Sequence, residues 1–281
     1  MEKLAALMSR LNVSERISEF DLKGFEQKKV DDYNKQEGTK HLEDGYNCPL
    51  CKNRGDIAEV MEYPPGVWQW KAVPCKCQKA RHSIRMMNKS GLGNIIKEKT
   101  FDRYETPDPW QVPIKKAAME YAKDGDWFFL GGQSGAGKTH LCTAICREFL
   151  LAGKGVAYMM WADDSNRLKN WEMEWEEREA LLRRFKKTEV LYIDDLWKPA
   201  RDNGVKQRPT GADIRLAFEI INFRYNDPKL KTIVSSEWNQ DELLSIDQAT
   251  GGRIFERAGR YGLSISENDD RNWRTRGGRT V

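Results

Sequence analysis

The stretch "GGQSGAGKTH" runs from Gly131 to His140. Gly132, Gly137, Lys138 and Thr139 satisfy the pattern G-x-x-x-x-G-K-[ST]. An apolar run, "DWFFLGG", leads into it, and "HLCTAICREFLLAGK" leads out with helical periodicity. Strand, loop and helix therefore follow in the order this motif requires, which a chance match in a glycine-rich turn would not supply. Glycines let the backbone approach a triphosphate, and successive N–H groups from Gly132 through Gln133, Ser134, Gly135, Ala136, Gly137, Lys138, Thr139 and His140 form an anion nest at a helix N-terminus. Lys138 is placed to reach the β and γ phosphates, and Thr139 to hold magnesium. ATP and magnesium are the expected ligands.

Working outward, a chain of 281 residues with 39% hydrophobic and 32% charged residues fits a soluble globular protein of one or two domains. No apolar run approaches the ~18 residues of a membrane span. The N-terminal "MEKLAALMSRLNVSERISEF" lacks a signal-peptide core. A cytoplasmic location with no membrane partner is expected. The formal net charge of +4 is too small to announce nucleic-acid binding by itself. Its distribution is more informative, because "DDRNWRTRGGRTV" concentrates Arg271, Arg274, Arg276 and Arg279 near the C-terminus. Such a tail is either a solvated end or a phosphate contact.

Four of the 6 cysteines form two close pairs, Cys48 with Cys51 in "CPLC" and Cys75 with Cys77 in "CKC". Between them "EYPPGVWQW" reads as strand, turn, strand. Cysteine pairs on tight turns separated by a β-ribbon can converge four thiolates on one zinc. Disulfides are the competing reading, which a cytosolic setting disfavours. Cys142 and Cys146, four apart on the helix after the phosphate loop, read as small buried hydrophobes.

The predicted organisation is a helical and zinc-ribbon domain over residues 1–80, a linker over 81–113, and a nucleotide domain over 114–281. In the first, Leu4, Leu7, Met8 and Leu11 make one short apolar helix face. Gly91, Gly93, Pro107, Pro109 and Pro113 punctuate the linker. Beyond it, helical patterns alternate with candidate strands at Trp127–Leu130, Val156–Trp161, Val190–Asp194, Thr232–Ser235 and Leu263–Ile265, the pattern of a parallel α/β sheet.

"EVLYIDDLW" is an apolar strand ending in two aspartates, as a Walker B requires. Asp194 is expected to hold magnesium through water, and Asp195 to polarise the attacking water. "KTIVSSEWNQDEL" ends its strand in Ser235, Ser236 and Glu237, where nucleotide hydrolases of the additional-strand class carry a γ-phosphate sensor. Asparagine is the usual occupant, and either Ser236 or Glu237 would serve; capping the next helix is the competing role. In "TGGRIFERAGRYG", Arg253 and Arg257 share one helical face, as surface ion pairs or as an arginine finger for a neighbouring subunit.

Together, the cysteine module, "SGLGNIIKEKTFDRY", "GGQSGAGKTH", "LYIDDLW" and "GGRIFERAGRYG" resemble the DnaC/DnaI-type replicative helicase loaders, AAA+ ATPases of bacteria and their phages, over roughly residues 45 to 276. The resemblance implies an AAA+ P-loop core with a parallel sheet and no C-terminal lid, and only 16 residues follow Ile265. It implies an extra helix before Walker B, where Leu168, Trp171, Trp175, Leu182 and Phe185 fall at helical spacing, although an ordinary crossover helix would read the same. It places Arg274 at the family's second sensor. It also implies ATP hydrolysis used as a switch, an N-terminal grip on a hexameric replicative DNA helicase, contact with single-stranded DNA, and self-association through the ATP site. Two other readings stay open: a transposase-helper ATPase on duplex DNA, and an adaptor that binds nucleotide without hydrolysing it.

Overall fold

The computed structural model describes residues 21–89 and 93–273. The chain divides into two compact units between Gln78 and Lys79. The apolar face at Leu4, Leu7, Met8 and Leu11 lies outside the described residues.

In the first unit, α1 (Leu22–Lys35) starts at Asp21, whose carboxylate accepts the Gly24 N–H. A short α2 (His41–Asp44) leads to the first cysteine pair. The expected ribbon is present: β1 (Asp56–Glu62) and β2 (Trp68–Pro74) pair antiparallel from Asp56↔Pro74 to Glu62↔Trp68. Helix α1 packs on it, with the Asn34 amide bonded to both the N–H and the carbonyl of Ala58. The Tyr33 and Trp70 rings lie 5.3 Å apart.

The helix α3 (Cys77–Lys89) spans the division, and α4 (Gly93–Glu98) and α5 (Gln111–Asp124) follow. The strands of the main sheet are β3 (Trp127–Gly132), β4 (Val156–Met160), β5 (Val190–Asp194), β8 (Lys231–Ser235) and β9 (Gly262–Ile265). Each lies where the apolar runs predict. They are all parallel, in the order β4-β5-β8-β3-β9. Helix α6 (Lys138–Leu151) follows β3; α7 (Trp161–Lys169) and α8 (Trp175–Lys187) lie between β4 and β5. A small hairpin, β6 (Arg201–Asp202) with β7 (Val205–Lys206), precedes α9 (Gly211–Tyr225). Helices α10 (Gln240–Ile246) and α11 (Gln248–Ala258) precede β9. Strand β3 is buried along its whole length, as a central parallel strand covered on both faces must be. Phe129, Leu191, Ile193 and Val234 form one side of the core with Leu216, Ile220, Ile254 and Ala258 of α9 and α11.

Two expectations need correction. Residues 81–113 are not a linker, because Met87, Ile96, Phe101 and Tyr104 are buried and the Ser83 hydroxyl accepts the Val156 N–H at the start of β4. Gly93 and Pro113 lie in the first turns of short helices, and Pro107 and Pro109 stand between them. The stretch before Walker B is also two helices, not one. Extended backbone at Asn170 and Glu174 breaks the phase, so Leu168, Leu182 and Phe185 are buried while Trp171 and Trp175 are 89% and 68% exposed.

One buried cation ties the second unit together. The Arg224 guanidinium donates to the carbonyls of Phe185, Lys186 and Thr188 at the end of α8, to the Lys231 carbonyl, and to the Thr232 hydroxyl. It satisfies orphan helix carbonyls that no water reaches. Arg224→Ala is expected to cost ~3 kcal/mol or more, seen as a fall in melting temperature of about 10 °C by circular dichroism.

Candidate functional site: the phosphate loop and the cysteine cluster

The loop at the end of β3 holds its shape through glycine. Gly132 has φ +107°, and a Cβ there would collide with the Ile265 carbonyl; Gly137 has φ +83°, with the Tyr104 ring against it. Both lie in the left-handed region that other residues enter at a cost. Gly137 stands at the N-cap of α6 and no side chain caps that end, so its first N–H groups are available to an anion. The Lys138 ammonium is buried and bonds the Gly132 and Gln133 carbonyls, each at 2.8 Å. Burial pushes its pKa below the ordinary lysine value, and the negative charges of Asp195 and Glu237 oppose that shift.

Walker A and Walker B meet directly. The Thr139 hydroxyl donates to Asp194 Oδ1 at 3.1 Å. Three more hydroxyls reach the same carboxylate: Tyr192 and Ser235 on Oδ1 at 2.6 and 2.7 Å, and Tyr158 on Oδ2 at 2.6 Å. Asp195 stands just beyond, at φ +55°, with its N–H donating to the Ser235 hydroxyl and its carboxylate 3.1 Å from the Lys198 ammonium. A non-glycine residue in that region holds about 1–3 kcal/mol of strain, which the surrounding contacts sustain. Thr139 and Asp194 are suitably placed to hold magnesium: a hydroxyl and a carboxylate, both hard oxygen donors, beside an open phosphate nest.

The polar residue brought to this cluster from β8 is Ser235, which sequence reasoning passed over. Ser236 is fully buried on the other side of the strand, where its hydroxyl donates to the Leu196 carbonyl at 2.8 Å and accepts the Trp238 N–H. The expected catalytic placement of Ser236 is thus corrected: its single proton is used within the Walker B turn. The Glu237 carboxylate lies 3.5 Å from Arg201 of the hairpin.

Neither candidate finger joins its own chain's cluster. Arg257 makes a two-pronged pair with Asp126, immediately before β3, and donates to the Tyr225 carbonyl at 2.8 Å. Arg253 donates to Asn222 and to the Ala249 carbonyl and lies over the Phe218 ring. The His140 ring bonds the Thr100 carbonyl at 2.8 Å and packs on Tyr104, so only its backbone faces the loop. After β9 the chain returns to the phosphate loop. The Asn268 N–H donates to the Gln133 side chain at 2.7 Å and the Trp273 N–H to the Gly135 carbonyl at 3.1 Å. Arg274, Arg276 and Arg279 lie outside the described residues.

In the first unit Cys48, Cys51, Cys75 and Cys77 converge, all buried, with their sulfurs within 4.8 Å of one another. Cys48 and Cys75 are 3.9 Å apart, and Cys51 and Cys77 3.5 Å. A tetrahedral Zn–S₄ centre with bonds of ~2.3 Å needs sulfurs ~3.8 Å apart, so the donor set fits zinc. Lys52 and Asn53 turn left-handed after the first pair, which lets the Gly55 N–H donate to the Cys51 sulfur at 3.3 Å. Burial opposes ionisation of Cys51, but the Gly55 N–H and the neighbouring thiols outweigh it and bring its pKa down to about 7. The closed set of four thiols leaves no place for a substrate.

Comparison with known proteins places this geometry. The profile of the family described as "IstB-like ATP binding protein" matches residues 75–242. The chain is 32% identical over 228 residues to the phage-like element PBSX protein XkdC of Bacillus subtilis (strain 168), covering 77% of this chain and 81% of that one. It is 30% identical over 117 residues to the replicative helicase loader DnaC of Escherichia coli (strain K12), covering 40% of this chain and 48% of that protein. Among solved structures, "Crystal Structure of the DnaI" aligns at a TM-score of 0.47 with 18% identity, over 63% of this chain and 92% of that one.

The sulfur geometry generates a test. Purified protein is expected to hold zinc at one equivalent per chain by plasma mass spectrometry, and Cys51→Ser or Cys75→Ser to lose it and to expose the first unit to proteolysis.

Proposed function

We propose, from the premise that the chain belongs to the IstB-like ATP binding protein family, that it is an ATP-driven loader of a hexameric replicative DNA helicase, acting during replication initiation to help place the ring on single-stranded DNA. The observation that carries the ATPase part is the direct bond between Thr139, next to Lys138 in the phosphate loop, and Asp194, next to Asp195 at the end of β5. The loader part is supported by the named loader among the relatives, which this chain matches over about half that protein's length.

Each residue has a distinct part. The N–H groups of residues 132–140 cradle the phosphates, and Lys138 leaves the carbonyls of Gly132 and Gln133 for phosphate oxygens. Thr139 and Asp194 hold magnesium, which neutralises phosphate charge when bound. Asp195, the first residue after β5, orients and polarises the attacking water. Ser235 ties Asp194 to the Asp195 backbone, so a change at the phosphates reaches both acids. Arg253 or Arg257 of a neighbouring subunit meets the γ-phosphate, which makes self-association depend on ATP. The cysteine cluster is a structural zinc site that stiffens the helicase grip.

Hydrolysis then converts one binding state into another, each favoured by a few kcal/mol of differential affinity. Asp195→Asn is expected to keep ATP binding and to lower turnover by roughly a hundredfold or more, measured by phosphate release. Light scattering of the chain with the replicative helicase of its source is the deciding experiment. A defined complex that persists in Asp195→Asn with ATP supports the loader. Absence of a complex, with filaments on duplex DNA instead, would sink that reading in favour of a transposase helper.

A further inference from the structure

Two phenols stand under the Walker B carboxylate, and neither belongs to a nucleotide-binding motif. Tyr158 on β4 and Tyr192 on β5 are direct partners in the parallel register. Paired residues share a face, and residues two apart on one strand share it too, so both rings stand on the side of the sheet that carries Asp194. The rings meet edge to face at 4.8 Å. Their hydroxyls divide the carboxylate: Tyr192 takes Oδ1 and Tyr158 takes Oδ2, each at 2.6 Å, the shortest bonds in the cluster. A phenol keeps its proton at neutral pH, so each hydroxyl donates to the carboxylate.

The proton count is complete. Thr139, Tyr158, Tyr192 and Ser235 each have one hydroxyl proton, and all four can point at Asp194 at once. Thr139 and Ser235 come from the phosphate loop and the sensor strand, elements expected to respond to nucleotide. The tyrosines come from the bodies of two strands of the sheet rather than from the loops at its edge. They therefore act on the carboxylate from its fixed side. A carboxylate held on both oxygens cannot rotate, and short phenol bonds draw charge from it, the two properties that set how an acid serves a metal or its water.

We propose that Tyr158 and Tyr192 are positioning residues that lock the orientation of Asp194 and thereby set the affinity of the phosphate loop for the magnesium complex of ATP, as opposed to ATP alone. This rests on the reading of Thr139 and Asp194 as magnesium holders, and the test separates the two ideas.

Fluorescent N-methylanthraniloyl-ATP is titrated into the full chain and into Tyr158→Phe, Tyr192→Phe and the double variant, once with excess magnesium and once with excess EDTA. Bound manganese is followed in parallel by electron paramagnetic resonance. Tyr121→Phe is the control, since that buried phenol bonds the Asp126 carbonyl before β3, away from Asp194. Each Phe variant is expected to bind the magnesium complex roughly tenfold more weakly, with unchanged affinity in EDTA and a broadened manganese signal, while Tyr121→Phe matches the parent in both. Equal losses with and without magnesium, or no loss in either, would overturn the proposal. If the parent itself shows no magnesium-dependent binding, the magnesium reading fails and the tyrosine proposal with it. Should the Phe variants fold poorly, 3-fluorotyrosine at 158 or 192 keeps the ring and the hydroxyl; a changed magnesium dependence supports the proposal and an unchanged one overturns it.

Discussion

The contact between the Thr139 hydroxyl and the Asp194 carboxylate joins the ends of two strands that are not neighbours. Between β3 and β5 lies β8, and this is why Ser235 falls into the gap and bonds Asp194 from the middle. The arrangement depends on strand order rather than on any one residue. A parallel sheet brings all its carboxyl-terminal ends to one edge, and a crossover that inserts a later strand between two earlier ones opens a crevice there. Phosphate loop, acidic pair and sensor hydroxyl are three strand ends meeting at that crevice, and the rest of the second unit keeps those ends in register.

The register also explains which parts were legible beforehand. The glycines, Lys138, Thr139, Asp194 and Asp195 lie in contiguous stretches whose spacing carries the chemistry, and the four cysteines announce themselves by two tight pairs. Ser235 against Ser236 is a different kind of question. Successive strand residues face opposite sides, so a one-residue ambiguity at the end of β8 decides between the carboxylates and the Leu196 carbonyl. Only the pairing Tyr192↔Ile233 resolves it, because it puts Ser235 on the face of Asp194. The two tyrosines were hidden for the same reason: in sequence they are apolar strand residues, and their hydroxyls acquire meaning through a partner 36 or 2 positions away. The tryptophans at 171 and 175 misled because helical spacing was carried through a break that composition does not mark.

Burial of polar groups recurs as a device in both units. Arg224 bonds backbone carbonyls from two elements and the Thr232 hydroxyl. The cysteine cluster brings four thiols into a buried space that a cation suits. Lys138 rests on the carbonyls of its own loop. In each case a charge, present or expected, substitutes for water that the fold excludes, and removing it leaves several groups unsatisfied rather than one.

Arg257 is held at the opposite end of β3 from the phosphate loop. Asp126 precedes β3 and Gly132 ends it, so the pair formed by Arg257 and Asp126 sits at the amino-terminal edge of the sheet. Six strand residues separate the two edges by ~20 Å, farther than an arginine side chain extends. Any γ-phosphate that Arg257 meets therefore belongs to another chain. Asp126 is the competitor in that encounter. Its side chain is 45% exposed, against 13% for Arg257, so water reaches the carboxylate more readily than the guanidinium. A phosphate carries more charge than a carboxylate and offers more acceptor oxygens. On the proposed finger role, a neighbouring chain's phosphate would have to displace Asp126 from Arg257.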